Sequence, residues 1–238
     1  MKCLNRDQIK YLVAVAMVFN HIAHLFLDRH TMLYFVFLHI GLITAPVMLW
    51  LLVEGHAHTS DKEKYGRRLL VGGLVSELPY TLAVCASRRM PLTFVGLDIL
   101  ITLYLCFRIV ENQRNNGSFS EVIGLILVSM ICDWYISLPI FTLFFLRMEK
   151  KRAFLASAVF FALIQHFTQY GPLSWSHSVL FAMADMASIL AAGFLICVLY
   201  NGKQYTTHRT FHKWFFYVFY PLHFMILWGI WLIVNYIV

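Results

Sequence analysis

Of the chain's 238 residues, 60% are hydrophobic and 13% are charged, about half the charged share of an ordinary soluble protein; a water-soluble globule of this length could not hide so much apolar surface. The net charge of +7 comes from short basic clusters between apolar runs, which report membrane sidedness, so no nucleic acid is expected as a partner. The five cysteines are scattered without a CxxC pair, which argues against a zinc site or a disulfide framework, and no metal is expected.

In chain order, the N-terminal MKCLNRDQIK runs into apolar residues with no small-residue cleavage site after it, and predicts a retained first span instead of a signal peptide. Spans of about 20 residues are predicted at 11–28, 32–53, 69–86, 92–110, 153–170, 178–200 and 214–238. Segment 121–147 is long for one straight helix and is interrupted at Cys132-Asp133-Trp134 and at Pro139. Charge asymmetry decides its path. With a cytoplasmic N-terminus and 121–147 as a hairpin, 16 Lys and Arg residues lie inside and only Arg29, Arg88 and Arg89 lie outside. As a single crossing the split becomes 9 to 10. The expected fold is therefore an all-α, polytopic integral membrane helical bundle of about nine crossings, with a short broken hairpin at 121–147 and a cytoplasmic N-terminus. Residues 1–238 are expected to form one domain in a plasma membrane, of the bacterial cytoplasmic type, with membrane lipids around it.

Ionisable residues inside spans are expensive and mark functional candidates. Lys10 opens the first span and His21 follows eleven residues later, which returns to within roughly 20° of the same helix direction about 16 Å further along. His24 shares that face. Glu54 closes the second span and is expected to cap or to pair with Arg68; His58 follows it, and Arg67 and Arg68 open the third span at the same level. Glu77 and His223 fall near mid-depth, and Asp98, Asp133, His166 and Asp185 fall in the outer half. Cations at the inner mouth suit a phosphate-rich acyl carrier, and a mid-membrane imidazole suits proton removal from an attacking amine or hydroxyl.

Several segments resemble the TraX family of membrane proteins, typified by the conjugative-pilin N-acetyltransferase. Gln8-Ile9-Lys10 through Met17-Val18-Phe19-Asn20-His21-Ile22 resembles its opening helix. Ala45-Pro46 through Glu54-Gly55, with His58-Thr59, Lys64-Tyr65 and Arg68-Leu69, resembles its second block. Ser76-Glu77-Leu78-Pro79-Tyr80, Cys132-Asp133-Trp134 and the run from Tyr217 to His223 resemble later blocks. Lys10 and His21 also match the basic-x10-His spacing of a wider transmembrane acyltransferase group. That group includes the family-three acyltransferases and the heparan glucosaminide N-acetyltransferases. The resemblance implies acetyl-CoA as co-substrate and His21 as the catalytic base. The acceptor it implies is the amine of a small exported or membrane peptide, with a surface glycan hydroxyl next. Asn20 stands where the family usually has Asp, and Leu42 stands where many relatives have Arg. An Asn orients an imidazole without stabilising its cation, which leaves Glu77 or Asp185 as alternative orienting acids and His223 as a further catalytic candidate. Lys10, Arg67, Arg68, Glu54 and His58 are the donor-binding candidates. Two other readings stay open: a proton-coupled transporter or channel using Asp98, Asp133, Asp185 and the histidines, and a non-catalytic assembly factor.

Overall fold

The computed structural model describes residues 2–169 and 175–236, with the Ser176 side chain outside the description. The outer-loop residues 171–174 and the ends of the predicted spans at Tyr170 and 237–238 lie outside the described residues.

Among the described residues ten α-helices run α1 Arg6–Phe26, α2 Met32–Leu42, α3 Thr44–His58, α4 Lys62–Ser87, α5 Ile99–Arg114, α6 Phe119–Val128, α7 Ser137–Arg147, α8 Lys150–Thr168, α9 Trp175–Phe194 and α10 Arg209–Tyr236. Short polar residues start many of them. Asn5 forms a capping box with Gln8, and Thr31, Asp61, Asp98 and Ser118 accept from the first turns of α2, α4, α5 and α6. Each such cap contributes about 1 kcal/mol.

The helices Arg6–Phe26, Met32–His58, Lys62–Ser87, His177–Leu199 and Arg209–Tyr236 are long and apolar enough to cross a membrane. Their outward faces carry exposed Val15, Leu74, Leu78, Leu180, Val218 and Ile226, the pattern of a bundle solvated by lipid and not by water. The protein is a multi-pass helical membrane bundle. α1 packs against α2 and α10, α4 against α10 and α5, and α8 against α9. At the α1–α2 crossing a Cβ on Gly41 would lie 2.1 Å from the Asn20 Cβ, so a glycine is what lets these two helices approach.

The broken hairpin at 121–147 consists of α6, a 3-10 turn at Ser129–Ile131 and α7. Each α-helical limb is about 15 Å long. Its irregular backbone is satisfied internally, as membrane depth requires. The Leu97 amide donates to the Ile131 carbonyl (2.8 Å) and the Asp133 amide to the Leu97 carbonyl (2.7 Å). The Thr102 hydroxyl donates to the Asp133 carbonyl (2.6 Å). The same pairing corrects the span expected at 92–110. Gly96 has φ +103, Leu97 is tied to the hairpin and Asp98 caps the helix, so α5 begins only at Ile99.

The basic ends of the helices gather at one end of the bundle. Leu4 pairs with Tyr200, the Arg6 guanidinium donates to the Leu51 carbonyl (2.9 Å), the Arg114 guanidinium to the Val53 carbonyl (3.3 Å), and Arg147 to Gln113 (2.7 Å).

Candidate functional site

α1, α4 and α10 meet along one seam, and the candidates sort by whether they face it. Near mid-length, the ring centroids of His21 and His223 are 5.1 Å apart, and His21 lies 4.4 Å from Phe224. His223 is buried, and its Nδ1–H donates to the Phe219 carbonyl at 3.2 Å. That bond fixes the neutral tautomer, so Nε2 carries the lone pair. Nε2 is itself buried and, among the described residues, without a hydrogen-bond partner. Buried Tyr220 lies 5.5 Å from His223, and Tyr80 of α4 closes the wall with its ring 5.7 Å from Phe224. His24, one turn on from His21, is exposed with its Nδ1 3.4 Å from the Tyr34 hydroxyl.

The remaining orienting candidates lie elsewhere. The Asn20 amide donates to the Leu38 carbonyl of α2 at 3.2 Å, so its side chain serves the α1–α2 contact. Asp185 of α9 is 3.3 Å from His39 Nε2, with side-chain exposures of 1% and 11%. The His39 Nδ1–H donates to the Phe35 carbonyl (2.7 Å). Glu77 accepts from the Asp98 amide (3.2 Å), Asp98 accepts from the Ile101 amide (3.0 Å), and Asp133 accepts from the Trp134 amide (3.0 Å). These carboxylates anchor the start of α5 and the hairpin turn. Among the described residues Glu77 Oε1 and Asp98 Oδ2 have no hydrogen-bond partner.

At the basic end Arg6, Lys10, Glu54, Tyr65, Arg68, Tyr200 and Tyr217 cluster. Arg6 reaches across to α3, where a Cβ on Gly55 would lie 2.4 Å from its Nη2. Lys10 Nζ is 3.6 Å from Asp7. The Arg68 guanidinium lies 5.6 Å from the centre of the Tyr65 ring, and its charge acts on the Tyr217 hydroxyl. The expected Glu54–Arg68 pair is replaced by another: Glu54 accepts from the Tyr200 hydroxyl at 2.6 Å. A π-helical turn at Leu195–Leu199 ends the α9 helix just before Tyr200. Arg67, one residue from Arg68, is exposed, and exposed His58 bonds back to the Glu54 carbonyl (2.9 Å) as the helix ends. The Nε atoms of Arg6 and Arg68 are buried donors with no hydrogen-bond partner among the described residues. A guanidinium with a spare donor is suited to a phosphate oxygen.

Arg6 is a member of this cluster that the spacing from Lys10 to His21 leaves out. Its position four residues before Lys10 put it on the same helix face. Tyr65 and Tyr217 fall in segments that resemble the family without being singled out there, and Tyr200 and the partnership of His39 with Asp185 have no signal in one sequence, because they depend on which helices become neighbours.

The family model described as TraX protein matches residues 5–231. The chain belongs to the TraX family. This TraX-family chain is also similar to a protein of Dichelobacter nodosus described as a probable fimbrial assembly protein, FimC of serogroup H1. The two are 28% identical over 234 residues, covering 92% of this chain and 93% of that one. No solved structure matches the TraX-family chain.

Proposed function

We propose that this protein is a membrane acetyltransferase, moving an acetyl group from cytoplasmic acetyl-CoA to an acceptor presented from the opposite side of the membrane. The observation that carries the reading is the His21–His223 pair, set on the same seam as the cationic cluster of Arg6, Lys10 and Arg68 beside Tyr217. With the basic end in the cytoplasm, the spare Nε donors of Arg6 and Arg68 take phosphate oxygens of the donor. The roughly 16 Å from Lys10 to His21 along α1 gives the pantetheine arm its path to the histidines.

The neutral His21 ring then accepts the proton of the attacking amine as its nitrogen bonds the acetyl carbon, the C–S bond breaks, and the departing thiolate takes a proton from the imidazolium. His223 stands against His21 with a free Nε2 lone pair, so two imidazoles share the work of holding and passing that proton. The relative's description as a fimbrial assembly protein supports a small exported peptide amine as acceptor, and a bacterial cytoplasmic membrane as the setting. A surface glycan hydroxyl is the next acceptor.

Mass spectrometry of peptides and surface glycans from cells with and without the gene tests the reading. One acetyl group gained on a defined molecule in the presence of the protein is expected; identical profiles would count against it.

A further inference from the structure

A second charged cleft lies at the basic end, where α3, α5 and α7 pack against one another. Its volume is about 350 Å³, and it is lined by Val53 of α3, Gln113 and Arg114 of α5, and Phe145, Leu146 and Arg147 of α7. That size falls within the roughly 300–1,000 Å³ of small-molecule sites. The cleft is not part of the Arg6–Arg68 cluster. Arg6 reaches the Leu51 carbonyl and Arg114 the Val53 carbonyl, and two residues are about 200° of helical turn, so the two arginines meet α3 from opposite sides.

Arg114 and Arg147 are the last residues of α5 and α7, and neutral acceptors hold both. Arg114 donates to Nδ1 of fully buried His56 (3.0 Å) and to the Val53 carbonyl (3.3 Å). A guanidinium only donates, so His56 Nδ1 accepts and the ring is neutral. Arg147 donates to Gln113 Oε1 (2.7 Å), the Gln113 amide donates to Asn112 Oδ1 (3.3 Å), and the Asn112 amide donates to Glu121 (2.8 Å). Glu121 in turn is engaged by Arg108 (2.9 Å). Among the described residues neither Arg114 nor Arg147 has a carboxylate within ion-pair distance. The C-terminal ends of their helices supply only roughly half a negative charge each, so the cleft keeps a positive balance.

Cations that serve only as markers of sidedness need no such fixing. A guanidinium fixed in place with N–H groups to spare recognises an oxyanion. One fork already fills a carboxylate, whereas a phosphate has oxygens enough to bridge two forks. Val53, Phe145 and Leu146 form an apolar wall beside the cations, which suits the carbon skeleton of an ester better than a bare ion.

We infer that this cleft binds the phosphate group of a phosphate ester, bridged between Arg114 and Arg147, at a site separate from the Arg6–Arg68 cluster. Two sources present that group at the basic end of a membrane bundle: the headgroup of an anionic phospholipid and a soluble ester. The site stands whether or not the protein transfers acetyl groups.

The test is arginine modification by phenylglyoxal, read residue by residue by peptide mass spectrometry on the full chain in maltoside detergent. Glycerol phosphate is the soluble probe, and reconstitution into phosphatidylglycerol nanodiscs is the lipid probe. At least one of them is expected to slow modification of both Arg114 and Arg147 by about fivefold or more, with exposed Arg152 unchanged, because a charge-assisted fork shields the guanidinium it engages. Protection by the nanodisc identifies a lipid headgroup, and protection by glycerol phosphate alone identifies a soluble ester. Arg147→Gln is expected to abolish the protection of Arg114, and Arg114→Gln that of Arg147. Arg147 is exposed, so its variant reads the site even where Arg114→Gln fails to fold. No protection by either probe, equal protection of Arg152, or protection of Arg114 that survives Arg147→Gln would overturn the site.

Discussion

His21 and His223 come from opposite ends of the chain, yet their rings face each other with centroids 5.1 Å apart at the meeting of α1 and α10. A proton leaving one imidazole has the other as its nearest basic neighbour. His223→Ala is therefore expected to lower acetyl transfer by about 10²–10⁴-fold, the usual worth of a positioned acid–base group, with little change in the KM for acetyl-CoA. Because the two rings act as a unit, the His21→Ala/His223→Ala double variant should be hardly worse than the poorer single one. Steady-state kinetics on the three variants checks this; fully multiplicative losses would show two independent roles.

Arg67 and Arg68 are adjacent in sequence and opposed in space. Arg68 faces Tyr65 and Tyr217 with a buried Nε, whereas Arg67 is exposed. A hydrogen bond to a charged group contributes about 1.5–3 kcal/mol, so Arg68→Ala and Arg6→Ala are each expected to weaken acetyl-CoA binding at least tenfold. Arg67→Ala should stay within about threefold of the parent, as exposed ion pairs contribute little. Calorimetric titration distinguishes them, and equal losses at 67 and 68 would contradict the placement of the mouth.

Close packing of α1 on α2 rests on Gly41 and Asn20, where any Cβ on Gly41 falls 2.1 Å from the Asn20 Cβ. Gly41→Leu is expected to lower the thermal midpoint of the detergent-solubilised protein, with overpacking costing about 1–3 kcal/mol. Asn20→Gly in the same chain should recover part of the loss. Asn20→Ala alone removes one hydrogen bond to Leu38, worth about 0.6 kcal/mol within a membrane, and should change turnover far less than His21→Ala does.

The His39–Asp185 pair ties α2 to α9 with the carboxylate nearly inaccessible. Breaking a buried pair by removing one partner costs about 3–5 kcal/mol. His39→Ala and Asp185→Ala are both expected to lower the melting temperature, and the double variant should be less damaged than the sum of the two. Additive losses in the double-variant cycle would mean that the two side chains act separately.

Much of this arrangement is legible from local pattern alone. The apolar runs define the bundle, and the charge asymmetry separates 121–147 into two limbs. The eleven-residue step from Lys10 puts His21 on the seam. What one sequence does not carry is the identity of each polar residue's neighbour. Glu54 meets Tyr200 and not Arg68 because α9 ends beside α3. Asn20 faces α2, although its position before His21 suggests an orienting role. Asp98 is conspicuous as a charge in an apolar run, and its work is to begin α5 at Ile99. Each of these depends on helix neighbours that lie far apart along the chain.

The most direct measurement is release of free CoA from acetyl-CoA by the purified protein in nanodiscs with an acceptor peptide, compared with its His21→Ala variant of equal thermal midpoint. Turnover by the parent protein and a loss of at least a hundredfold in the variant is the expected result. Equal CoA release by the two proteins would contradict the account.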